Sequence, residues 1–123
     1  MTILDGQRFS KKYKIFRTSD YRKIYQKGKR ITTEDLVICY LPNNMEYSRL
    51  GISISKSVGN AVERNKRKKW IREIFRTSAI MRKKGLDIVI ILRNNGKELY
   101  FIKLKEQLEK AIQNAQEIKT LLK

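Results

Sequence analysis

Apolar and polar residues alternate most regularly between positions 49 and 55, where Gly51, Ser53 and Ser55 separate Leu50, Ile52 and Ile54. A period of two marks a strand with one buried face, so a strand is predicted there. The segment 35–42 is rich in Val, Ile, Leu and Tyr and closes on Pro42-Asn43-Asn44, which predicts a strand followed by a turn. As sequence neighbours, these two strands are expected to pair antiparallel. Leu86-Asp87-Ile88-Val89-Ile90-Ile91-Leu92 is almost continuously apolar, as expected of a strand covered on both faces.

Three further segments carry helical spacing. A short helix is predicted with Ser19 as N-cap, Asp20 in the first turn and Gly28 ending it. Its Tyr21, Ile24 and Tyr25 share one face, and Phe16 is expected to pack beneath them at the entry. Asn60 is a good N-cap with Glu63 three residues on, so a second helix is predicted over 61–78, its end marked by Met81-Arg82-Lys83-Lys84-Gly85. After a turn at Asn94-Asn95-Gly96, the apolar residues Phe101, Leu104, Leu108, Ala111, Ile112, Ala115 and Ile118 describe a long amphipathic helix. The order helix, two or three strands, helix, strand, helix reads as a single α+β domain over 1–123, an α/β sandwich of helices against a small sheet. Residues 1–12, polar and basic without a period, are expected to form a loose arm.

Charge changes this picture most. Twenty-nine Lys and Arg oppose twelve Asp and Glu, for a net charge of +17. Such a density repels itself unless a polyanion is the partner, which favours nucleic acid. No apolar run approaches the roughly 18 residues of a spanning helix, and no membrane partner is expected. The first residues lack the basic start and apolar centre of a secretory signal, so a cytoplasmic protein is expected. Cys39 is the only cysteine and histidine is absent, which removes a disulfide, a cysteine-cluster zinc site and every histidine-based catalytic device. Glu34 and Asp35 are adjacent and point to opposite faces if extended, so they make no two-metal cluster. No Gly-rich phosphate loop is present, no small-molecule substrate is expected, and no residue stands out as catalytic.

Five of the six residues from Arg64 to Lys69 are basic, and Arg72 and Arg76 continue the series. At 100° per residue Trp70, Ile71, Ile74 and Phe75 fall on one side, and Lys68, Lys69, Arg72 and Arg76 with Asn65 fall near the other. Arg67 lies on the apolar meridian and Arg64 at its edge, so the first turns are expected to overhang the core. A projecting helix start with clustered cations attracts phosphate. Charge and fold alone suit a ribosomal or other structural RNA-binding protein equally well, and a DNA-binding regulator less well.

The string from Ser55 to Glu73, SKSVGNAVERNKRKKWIRE, resembles the signature of the bacterial ribonuclease P protein family. Lys56, Arg64, Asn65, Lys68, Lys69, Arg72 and Glu73 match it, whereas Lys66 stands where the family usually has arginine, which keeps the charge and loses the planar fork. The resemblance, which extends over roughly 13–115, implies a helix, a three-stranded antiparallel portion, the basic helix in a left-handed crossover, a parallel strand and a C-terminal helix. It implies that Lys56, Asn60, Arg64, Asn65, Lys66, Arg67, Lys68, Lys69 and Arg72 bind the catalytic RNA of ribonuclease P. It further implies that a cleft between the first helix and the sheet, with Phe16, Tyr21 and Tyr25, receives the 5′ leader of precursor transfer RNA. Mg²⁺ would serve the RNA, which removes the leader. The family often adds an aromatic from the first strand; the matching position here is Cys39, with Tyr40 beside it, and which of the two faces the cleft stays open.

Overall fold

The segment 86–92 has apolar residues on both faces, and in the computed structural model, which describes residues 11–78, 85–93 and 99–114, it lies inside the sheet. Four strands are present: β1 (Lys29–Thr32), β2 (Leu36–Pro42), β3 (Arg49–Ile54) and β4 (Leu86–Leu92), in the order β1-β2-β4-β3. The antiparallel pairing expected between β2 and β3 does not form. Instead β4 separates them, antiparallel to β2 through Cys39↔Val89 and parallel to β3 through Gly51↔Val89. Burial explains the order: β4 is apolar on both faces and takes a position covered above, below and on both edges, whereas β3 carries exposed Ser53 and accepts an edge. The strand β1 is the third strand that the sequence reading allowed but did not locate, because Ile31 is its only apolar residue.

Three helices flank this sheet: α1 (Thr18–Lys27), α2 (Ala61–Thr77) and α3 (Phe101–Asn114). The result is the α+β arrangement expected, with three antiparallel strands and a parallel pair, β3 and β4, joined through α2. On one face Leu36, Ile38, Leu50, Ile88 and Ile90 pack with Ile71, Ile74 and Phe75 of α2 and Leu104 and Leu108 of α3. On the other, Val37, Cys39 and Val89 pack with Ile15 and with Ile24 of α1. Alternation therefore separates the two β2 candidates. Tyr40, 3% exposed, belongs to the α2–α3 core, and Cys39 faces α1.

Local chemistry accounts for most helix ends. Asn60 Oδ1 accepts from Glu63 N at 2.9 Å and Asn60 N donates to Glu63 Oε1 at 3.2 Å, the reciprocal pair expected. Gly28 N donates to Ile24 O, closing α1 as expected. The expected N-cap is corrected: Arg17 holds that position without a side-chain hydrogen bond, and Ser19 lies within the first turn. The helix α2 stops at Thr77 with Ser78 as C-cap; the run 81–84, the turn at 94–96 and Ala115 and Ile118 lie outside the described residues. Gly85 has φ 61°, and a Cβ there would strike the carbonyl oxygen of Met45, so glycine is required at this approach to β4. Part of the presumed arm is structured: Lys11–Tyr13 form a 3-10 turn, and Lys14 bridges to Leu50 on the outer edge of β3. Residues 1–10 lie outside the described residues.

Candidate nucleic-acid interface

Ile71 is the first buried residue of α2, so the first turns of the helix project from the core as the wheel implies, with Trp70 the first side chain to pack against it. Arg67 makes the overhang visible. Its Nη1 donates to Glu63 O at 3.1 Å and its guanidinium lies 5.9 Å from the Trp70 ring centroid, with Lys66 Nζ at 5.3 Å from the same ring. Trp70 in turn packs edge-on against Phe101 of α3. The side chain on the apolar meridian is thus held by an aromatic platform at the margin of the core. Both acids of α2 are already engaged, Glu63 in the capping box and Glu73 with Arg76 at 2.5 Å. Among the described residues Lys56, Arg64, Lys66, Arg67, Lys68, Lys69 and Arg72 form no ion pair. The Nε atoms of Arg64 and Arg67 are shielded without an acceptor. Asn65 is exposed, Asn60 is exposed with its side-chain oxygen used in capping, and Lys56 is exposed in a 3-10 turn that links β3 to α2.

A groove of about 130 Å³ runs along the outer edge of β3. Lys14 and Phe16 line it from the N-terminal segment, Tyr21 from α1, Gly51 from β3, and Lys68 and Arg72 from α2. This joins what the sequence leaves separate: two cations assigned to the basic helix share a groove with two aromatics assigned to the cleft. The volume is below the roughly 300 Å³ of small-molecule pockets. Phe16 is 65% exposed. Tyr21 Oη donates to Ile15 O at 3.3 Å and its ring lies flat over Gly51, where an added Cβ would sit 2.6 Å from that oxygen. Tyr25 is outside the groove lining, 43% exposed, with its ring 6.3 Å from that of Tyr21.

Two residues of this surface escape the sequence reading. Lys14 is brought in by its bridge to Leu50. Arg30 pairs with Cys39 across β1 and β2, on the α1 face and near Tyr25, and its alternation with Ile31 was the signal available. Burial, above all, raises the phenol of Tyr21 above its ordinary value, with Tyr25 adding to the rise and the Ile52 backbone opposing it. Gly51→Ala should push the ring off the strand into water, and the Tyr21 phenol should then titrate closer to about 10. Absorbance titration against Tyr21→Phe checks this, and an unchanged curve would show that the ring never depended on Gly51.

A sequence model of the family described as Ribonuclease P matches residues 9–116. The ribonuclease P protein component of Petrotoga mobilis is 34% identical over 113 residues, which is 89% of this chain and 96% of that protein. That of Clostridioides difficile is 38% identical over 107 residues, 86% of this chain and 90% of that one. The solved RNase P protein of Staphylococcus aureus matches with a TM-score of 0.74 at 36% identity, over 85% of this chain and 95% of that chain. The Thermotoga maritima RNase P protein gives 0.68 at 37%, over 77% and 91%. This chain belongs to the bacterial ribonuclease P protein family.

In this ribonuclease P protein the start of α1 is fixed by a polar clamp. Arg49 Nε and Nη2 donate to the two carboxylate oxygens of Asp87 at 2.8 and 2.6 Å, and Asn43 Nδ2 adds a bond of 2.9 Å. Arg49 Nη1 also reaches Asp20 of α1 at 3.6 Å. The Asp87 hydrogen bonds hold the guanidinium above its ordinary value. Because Asp20 precedes Tyr21, the clamp ties the groove aromatic to β3 and β4. Among the described residues, no helix is long and apolar enough to cross a membrane.

Proposed function

We propose that this ribonuclease P protein grips the catalytic RNA with the projecting start of α2 and receives the 5′ leader of precursor transfer RNA along the β3 groove. In this reading the RNA carries out the hydrolysis that frees the mature 5′ end. The observation that carries it is the cation cluster of α2, which forms no ion pair among the described residues and two of whose members line a groove shared with Phe16 and Tyr21. Lone cations attract phosphate, and tyrosines stack on bases with little sequence preference, so the pair suits a single strand leaving a folded RNA. In this reading Mg²⁺ serves the RNA and its hydrolytic chemistry.

Reconstitution tests the proposal. Mixed with a bacterial ribonuclease P RNA, the protein should raise precursor cleavage at low Mg²⁺, and affinity should fall as the leader is shortened. Phe16→Ala, which removes an exposed ring of the groove lining, should weaken precursor binding by about 1 to 3 kcal/mol while leaving binding to the RNA subunit alone unchanged. Indifference to leader length would instead mark an architectural RNA-binding protein.

A further inference from the structure

Beyond the groove, where β3 begins, stands a second cationic and aromatic feature. Lys12 Nζ lies 5.1 Å from the ring centroid of Tyr13 and 4.7 Å from that of Tyr47. The two rings meet edge to face at 5.6 Å. Lys12 is exposed and forms no ion pair among the described residues. Its ammonium is therefore held in place by ring faces that satisfy none of its hydrogen-bond donors, an arrangement that fixes a charge and leaves it open to an acceptor.

The position of this seat gives it meaning. Lys14, two residues on, already lines the groove and bridges to Leu50, and Tyr47 closely precedes that same strand. The start of α2 follows the far end of β3, beyond Ile54. The seat and the RNA-gripping helix start thus lie at opposite ends of β3, with the groove between them. A strand that enters beside α2 and follows the groove leaves it past Lys12.

We propose that Lys12, seated on Tyr13 and Tyr47, is a phosphate-binding subsite for leader nucleotides distal to those in the groove; this rests on the leader reading above. Fixing a lysine in advance reduces the rotamer freedom lost on contact, so one phosphate can be held without a base-specific contact. The subsite adds reach and not sequence preference.

The test uses the protein reconstituted with a bacterial ribonuclease P RNA and precursors whose leaders are lengthened one nucleotide at a time. In the wild type, affinity should climb with length and gain a last increment when the leader reaches Lys12. Lys12→Gln should keep short-leader affinity, flatten the salt dependence by about 0.7 on long leaders only, and so remove that increment, about five-fold at 0.1 M salt relative to 1 M. Tyr47→Leu, which keeps the charge and removes the seat, should lose part of the increment. Lys12→Gln should melt like the wild type, since Lys12 is exposed. A loss equal at every length would reduce Lys12 to a share of the overall field, and no loss would leave the rings as a fastening for the 3-10 turn; either overturns the subsite while the leader reading survives. Indifference of the wild type to leader length would remove both.

Discussion

Replacing Arg64, Lys66, Lys68 and Lys69 together by glutamine should flatten the salt dependence of RNA binding by about 3 units of log–log slope, because each lost phosphate contact removes about 0.7 to 0.9. Extrapolated from 1 M salt, that is about a thousand-fold loss of affinity at 0.1 M salt. The fold should not notice. None of the four is fully buried or ion-paired among the described residues, and no buried side chain precedes Ile71 in α2. Removing neighbouring like charges relieves repulsion, so the melting temperature should hold or rise. Filter binding across a salt series, with melting curves beside it, separates the two effects. Unchanged slopes would take these side chains off the RNA. Arg67 is left out of the set because its hydrogen bond to Glu63 O gives it a structural share that would blur the result.

The contrast between those four cations and Arg67 also shows what is legible in the sequence. Charge density and helical angle mark the segment, and the Asn60–Glu63 capping box is read correctly because its partners lie three residues apart. The doubly covered β4 is equally local, since its apolar run alone demands two covered faces. Failures begin where distant segments compete. Neighbouring strands β2 and β3 look like a hairpin, and only the stronger demand of β4 for a central place divides them. Alternation separates Cys39 from Tyr40, but which helix covers which face is a matter of layers, settled by Ile24 on one side and Ile71 with Leu104 on the other. The union of Lys68 and Arg72 with Phe16 and Tyr21 needs the β3 edge as common ground, and no spacing along the chain contains it.

Arg49→Met should destabilise the protein by about 3 kcal/mol, lowering the melting temperature by roughly 10 °C. The reason is the carboxylate left behind. Asp87 is 7% exposed, and with Arg49 gone its charge keeps, among the described residues, only Asn43 as a side-chain hydrogen-bond partner inside the sheet margin. Removing both charges, Arg49→Met with Asp87→Leu, should recover at least half of the loss, since a buried ion pair replaced by packed apolar groups is often neutral. Asp20→Asn, which touches only the longer, partly exposed 3.6 Å arm of the clamp, should stay within about 1 kcal/mol. Denaturant unfolding of the four proteins gives the cycle. The single variant should also bind precursor less well than its residual stability explains, because the clamp fixes the start of α1 and with it the Tyr21 ring over Gly51. If Arg49→Met unfolds within 0.5 kcal/mol of the wild type, α1 is held by Ile24 and its apolar neighbours alone, and the groove aromatic owes its position to packing.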